Sequence, residues 1–342
     1  MTMPIFPITR RAFALGAVSL NACAKSDAPV TTILVGGTPG SATDLLARLF
    51  ARHCSRLFGA DSVVENVPHH TGGAIAQRLS EKAGAGDTLG FLQNGLLYTA
   101  LLTKRELPWD LTRLGWIGSF NADHRVLMSS GSSQLNRFED LLSREKPAIL
   151  VTGAVGASGY YEARILQHLT QARVRVVPGF DGAMRMLALT SGEGDLALGS
   201  LDSLTPVLDL PRSRILLRIN DLPFDKASTA RGLSSPALAE VSRGSDAPGL
   251  LRIVDAHARI GRSVALPPNA PNEVARVWTE RFATITRDAD FLAAAAKANL
   301  LIEPTGGIQL SDEITGLLSS EGTAARAALR RVMECVTDAT CS

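Results

Sequence analysis

The chain has 342 residues, 45% apolar and 20% charged, with a formal charge of +2. It is too hydrophobic for disorder and long enough for about two domains. Thirty glycines and 17 prolines lie near the ordinary share and exclude collagen-like or low-complexity sequence. No Lys/Arg-rich block is present to meet a phosphate backbone, so no nucleic-acid partner is expected.

In chain order, residues 1–22 come first, with Arg10 and Arg11 and no acid. Thr9-Arg10-Arg11-Ala12-Phe13 and the apolar run Leu15 to Leu20 read as an export signal peptide of the twin-arginine type. The run is shorter than the roughly 20 residues a membrane span needs. Leu20-Asn21-Ala22-Cys23 resembles a lipobox, which makes Cys23 the expected lipidation site and the chain a lipoprotein; plain signal-peptidase cleavage is the alternative. Either way the mature chain is expected to be periplasmic or extracytoplasmic, held to the membrane by a lipid if Cys23 is acylated. Cys54, Cys335 and Cys341 would remain. Cys335 and Cys341 are close enough to close a small loop, and Cys54 reads as a buried small hydrophobe.

Thr31 to Gly36 reads as a strand, broken by Gly37-Thr38-Pro39-Gly40, before a helix from Ser41 to Phe58 with Leu45, Leu46, Leu49, Phe50 and Leu57 at helical spacing. Ser41 followed by Asp44 resembles a capping box. Strand-like Ser62 to Glu65, a Pro-His-His-Thr-Gly-Gly loop, a helix from about Ala74 and strand-like Thr88 to Leu92 complete a first α/β lobe. Trp116 to Gly118 and Val126 to Ser129 read as further strands, and the polar run Ser129 to Ser133 as the crossover to a second lobe. That lobe alternates strand and helix: Ala148 to Thr152, Ser158 to Leu169, Val174 to Val177, Gly182 to Thr190 and Leu196 to Gly199. Residues 221–249 read as an irregular return segment, followed by helices near 271–286, 288–298 and 323–334.

The fold class is therefore α/β, two lobes of parallel sheet with helices on both faces. Such sheets leave a crevice at their strand C-termini. Four loops are expected there: Gly36 to Thr43, Asn66 to Gly73, Thr152 to Gly159 and Pro178 to Gly182. None contains Lys or Arg. Helix N-termini carry unpaired N–H groups and the positive end of the helix dipole, so these turns can hold an anion through the backbone alone.

The residues of these loops carry a family resemblance. Val35-Gly36-Gly37-Thr38-Pro39-Gly40-Ser41-Ala42-Thr43-Asp44 resembles the first-loop signature V-P-F-P-P-G-G-S-T-D of the Bug substrate-binding receptors of tripartite tricarboxylate transporters. Val64-Glu65-Asn66-Val67-Pro68 with Gly72-Gly73, Val177-Pro178 with Gly182-Ala183, Gly192 to Leu196, and Ala265 to Pro271 resemble later segments in family order. The resemblance implies a type II periplasmic binding protein with a ligand cleft between its lobes: residues 30–127 and 223–342 forming a discontinuous first lobe and 128–222 the second.

It also implies a monomeric, non-catalytic receptor without cofactor or metal, which captures a small carboxylate and hands it to a membrane permease. Carried over position by position, the ligand-binding residues are Thr38, Gly40, Ser41, Ala42 and Thr43 in the first loop, and Asn66, Thr71, Gly72 and Gly73 across from it. Ala157, Ser158, Phe180, Asp181 and Asp202 follow in the second lobe. Two departures fall where ligand identity is read. Gly37 stands where the family has Phe, and Gly179-Phe180-Asp181 replaces Tyr-Lys-Gly. Asp181 either caps the next helix or faces the crevice, where it would favour a monocarboxylate or a ligand bearing a hydroxyl or ammonium group.

The alternatives are an exported hydrolase or lyase on a similar scaffold, or a ligand sensor without a transport role. His69-His70 lacks partners at metal-ligand spacing. Gly156-Ala157-Ser158-Gly159 is not the G-x-S-x-G elbow of hydrolases, and the glycine-rich turns lack the Lys of a P-loop. Phe120, Tyr160 and Tyr161 either wall the site or belong to the core.

Overall fold

The computed structural model describes residues 30–37, 39–67, 73–103, 105–180, 182–208, 211–222 and 235–334. The signal region with Cys23, and Thr38, His69, His70, Thr71, Gly72, Asp181, Cys335 and Cys341, lie outside the described residues.

The chain begins with β1 (Thr31–Val35), α1 (Ala42–Phe58), β2 (Ser62–Asn66), α2 (Gly73–Glu81), β3 (Thr88–Gln93), α3 (Gly95–Leu102) and β4 (Gly115–Ser119). It continues with β5 (Arg125–Ser129), α4 (Asp140–Ser143), β6 (Ala148–Val151), α5 (Ser158–Thr170), β7 (Val174–Val177), α6 (Gly182–Ser191), β8 (Leu196–Ser200), α7 (Leu201–Leu208) and β9 (Arg214–Arg218). The last part holds α8 (Leu238–Val241), α9 (Ala247–Ile260), β10 (Arg262–Leu266), α10 (Asn272–Ile285), α11 (Ala289–Lys297), β11 (Thr305–Gly306), α12 (Gly307–Leu318) and α13 (Thr323–Glu334).

Two sheets form, in the orders β11-β4-β10-β3-β1-β2 and β7-β6-β8-β5-β9. Each repeats one plan. Three parallel strands, β2-β1-β3 or β7-β6-β8, are followed by an antiparallel strand, β10 or β5. The expectation of all-parallel sheets is corrected here: strands that cross from one lobe to the other enter the new sheet running the opposite way.

Local sequence accounts for α1. Ser41, in extended conformation, caps it by accepting from the Asp44 N–H at 3.3 Å, and Gly59 ends it in the left-handed region. Leu46, Ala47, Leu49, Phe50 and Cys54 bury one face, each large apolar side chain contributing roughly 1.5–3 kcal/mol. Leu45, also at helical spacing, is 43% exposed instead. Burial pushes the Cys54 thiol up to about 12, so it stays protonated and inert.

The lobe boundary differs from the sequence expectation. Val126 to Ser129 belongs to β5, which pairs with β8 and β9 in the second sheet, so the first crossover is residues 120–124 and not the polar run from Ser129. The return includes α9, a 14-residue helix whose first three residues fall in the segment expected to be irregular and whose remainder lies in a stretch given no element from the sequence. The two crossings are tied together: Phe120 N–H donates to the Arg262 carbonyl at 3.0 Å, and Asp123 N–H to that of Ala258 at 2.8 Å. Gly261 sits where they touch, with φ at +44°, and a Cβ there would lie 1.9 Å from the Asn121 carbonyl oxygen. The largest apolar cluster joins Leu34 and Ile75 of the first lobe to Leu166 and Leu196 of the second through Tyr98, Leu250, Ile253 and Leu329.

Candidate functional site

A cleft of about 280 Å³ lies between the lobes. Its walls come from the C-terminal ends of four parallel strands and the helices that follow: Thr43 after β1, Gln93 to Gly95 after β3, Gly156 to Ser158 after β6, and Ser200 after β8. The crossings supply Asn121, Asp123, Gly261 and Arg262. Four helix N-termini, two from each lobe, thus meet at one hollow. Ala157 and Asn94, which precede α5 and α3, make no side-chain cap, leaving first-turn amides without that partner. A larger hollow of about 580 Å³ lies at the opposite end of β1, by Phe58 and Trp278; one lobe alone walls it.

Of the residues expected to bind, Thr43, Ala157 and Ser158 line the cleft. The rest of the first loop is occupied with holding itself. Gly40 N–H donates to Asp44 Oδ2 at 2.8 Å, Ser41 caps α1, and Ala42 packs against the first-lobe core. Asn66 donates to the Gly37 carbonyl at 3.0 Å and to Asp44 Oδ1 at 2.8 Å, so it braces the loop from behind. Burial opposes ionisation of Asp44, but Arg48, the Gly40 amide and Asn66 outweigh it and hold the carboxyl below its usual range. Gly73 begins α2 away from the cleft lining. A Cβ at Gly37 would lie 2.2 Å from Ser41 Oγ, so a larger residue there would displace the hydroxyl that caps α1.

In the second lobe Phe180 packs against the apolar cluster of Val126, Val151 and Ala188, outside the lining. Asp202 sits in the first turn of α7, its Oδ2 3.5 Å from Arg262 Nη1 across the lobes. Burial pushes its carboxyl up, against the pull of Arg262. Phe120 and Tyr160 are core, 0% and 7% exposed.

A charged network behind the cleft, which reaches its lining at Asp123, escaped sequence reasoning. Arg125 Nε is 3.0 Å from both oxygens of Glu162, and Nη2 is 2.6 Å from Oε2. Arg125 Nη1 also reaches Asp123 Oδ2 at 3.2 Å, and Asn94 Nδ2 donates to that oxygen at 2.8 Å. His257, fully buried on α9, has Nε2 2.8 Å from Ser158 Oγ and Nδ1 3.3 Å from Glu162 Oε1, the latter outside hydrogen-bond alignment. The one local signal was Asp123-His124-Arg125, three ionisable residues leading into an otherwise apolar strand.

Ser158, His257 and Glu162 stand in the order of contacts of a hydrolase triad, but their electrostatics do not suit one. Arg125 engages both Glu162 oxygens. Burial first, then the Arg125 charge, pushes His257 down to about 3, far too weak a base to take a serine proton near neutrality. The arrangement fixes the Ser158 hydroxyl in place without activating it.

No family model matches the chain. A UPF0065 protein of Bordetella pertussis is 25% identical over 209 residues, which cover 59% of this chain and 64% of that protein. The chain therefore spans less than two thirds of that relative's length. A TctC solute-binding protein from Polaromonas superimposes with a TM-score of 0.69 at 16% identity, over 91% of this chain and 99% of that one. This is the fold of a two-lobed solute-binding protein. R. palustris Rpa4515 with adipate gives 0.65 at 18% identity, over 89% and 98% of the two chains. The periplasmic binding protein BugD gives 0.60 at 13%, over 90% and 98%. The sequence resemblance to Bug receptors and these structural likenesses point the same way.

Proposed function

We propose that the protein is an extracytoplasmic solute-binding receptor of the Bug type, which captures a small carboxylate between its lobes and presents it to a tripartite tricarboxylate-type permease. The observation that carries this reading is the meeting of four helix N-termini from both lobes at one cleft. Partial positive charge and unpaired N–H groups at such ends favour an anion without requiring a basic side chain from either lobe. The likeness to Rpa4515, whose structure holds adipate, supports a carboxylate ligand. The likeness to periplasmic proteins supports the expected export, and the lipobox-like Leu20 to Cys23 supports a lipid anchor. Binding alone is the function, since the serine in the cleft has no competent base. The test is thermal shift against mono-, di- and tricarboxylates, with recovery of the stabilising compound by mass spectrometry. Stabilisation with the compound unchanged is expected; conversion of the compound would instead identify an enzyme.

A further inference from the structure

Two acceptors face the cleft where the lobes join. The Asp123 side chain is 15% exposed; Asn94 and Arg125 both reach its Oδ2, and the Ser200 side chain also bonds the carboxylate. Burial works against its ionisation, but Arg125, Arg262 and the Ser200 hydrogen bond outweigh that and bring the carboxyl to about 2, so Asp123 is anionic at neutral pH. Ser158 is the second acceptor. His257 Nε2 lies 2.8 Å from Ser158 Oγ, and whichever of the two supplies the shared proton, the hydroxyl, which lines the cleft, keeps a lone pair. The two sites are neighbours across α3: Asp123 bonds Asn94, and Ser158 Oγ lies 3.4 Å from where a Cβ on Gly95 would be. Arg262 is the cation of the lining, and its link to Asp202 is a long 3.5 Å.

A dicarboxylate would place its second charge against Asp123, where attraction is replaced by repulsion. We propose that the ligand is a zwitterion, a small carboxylate that also carries an ammonium group, with Asp123 and Ser158 receiving the ammonium and the helix N-termini and Arg262 the carboxylate. This rests on the carboxylate-receptor reading and narrows it. The ammonium satisfies the two acceptors, and the carboxylate keeps the dipole ends as its partners. A cleft of about 280 Å³ limits the ligand to small-metabolite size.

Isothermal titration calorimetry on the full chain at neutral pH tests this with three matched series. They are amino monocarboxylates (4-aminobutanoate, 5-aminopentanoate, norvaline), the same chains without the amino group, and succinate, glutarate and adipate. An amino member is expected to bind at least about tenfold tighter than its desamino and dicarboxylate counterparts. Asp123→Asn should abolish that preference, and Ser158→Ala should reduce it. The order of affinities in the unaltered chain decides the matter even if Asp123→Asn does not fold. A dicarboxylate or desamino acid binding as tightly as any amino member overturns the zwitterion and leaves the carboxylate receptor standing. No binding by any of the series overturns both.

Discussion

Ser158 Oγ and His257 Nε2, 99 residues apart in the chain, meet at 2.8 Å behind the interlobe cleft. The contact links α5 to α9, so the helix that returns the chain to the first lobe also fixes a hydroxyl in the cleft. Because the imidazole is fully buried, its charged form is disfavoured and its titration becomes a stability term.

His257 is pushed down to about 3 from 6.5, so the unfolded chain binds more protons than the folded one between those values. Stability from keeping it neutral is present above pH 6.5 and is lost as pH falls toward 3. Glu162, raised to about 7 by burial against the pull of Arg125, acts in the opposite sense between 4.5 and 7. Comparing the unaltered chain with His257→Gln by urea denaturation removes much of that shared contribution. The stability difference should change in favour of the variant from pH 6.5 to pH 4; a difference constant across that range contradicts the assignment.

The Arg125–Glu162 pair is buried on both sides, with side chains 8% and 0% exposed. Removing one partner strands a charge, so Glu162→Leu should cost about 3 kcal/mol or more. Arg125→Met combined with Glu162→Leu should recover part of the loss, because the pair's desolvation penalty is removed with it while Asp123 loses its Arg125 contact. Chemical denaturation of the three variants checks this. A double variant no more stable than the single one would mean that the pair's attraction exceeds its desolvation cost.

Gly261 combines a positive φ with a crossing backbone at its Cβ position. Gly261→Ala should therefore destabilise the chain by about 2 kcal/mol or more, from strain and overlap together. The same substitution at Gly84, where φ is +83° and a Cβ meets nothing within 4 Å, should cost less. Equal losses, read from urea midpoints, would show that the crossing is not tight.

Phe180 packs on the second-lobe core away from the cleft lining, so Phe180→Ala should lower stability by about 1–3 kcal/mol and leave carboxylate affinity within about twofold. A large loss of affinity without a loss of stability would return Phe180 to the site.

The alternation of β1, α1, β2 and β3 with glycine-rich turns was legible because each element carries its own period and punctuation. So was the repeat of that unit from β6 to β8. The lobe to which β5 belongs was not. All five of its residues are buried, so no alternation marks a face, and pairing is decided by strands far along the chain. Helix α9 was hidden because Ser, Gly and Pro crowd its start, with Pro248 tolerated near its first turn. Thr43, Ala157 and Ser158 could be placed from local motifs. Asp123, Arg125, Glu162 and His257 could not, since a buried ion network exists only once the distant segments are packed.

The receptor reading depends on backbone N–H groups at helix starts gripping a carboxylate, and Ser158→Pro probes this directly. Ala157 is extended, with φ −75° and ψ 151°, which suits a residue before proline, and Pro is tolerated at the first position of a helix. The substitution removes one amide and one hydroxyl from the cleft while α5 persists, which circular dichroism verifies. Calorimetry with the tightest carboxylate of the panel should show affinity lower by about a hundredfold, the loss of two hydrogen bonds to a charged ligand. Unchanged affinity in a folded variant would contradict the account.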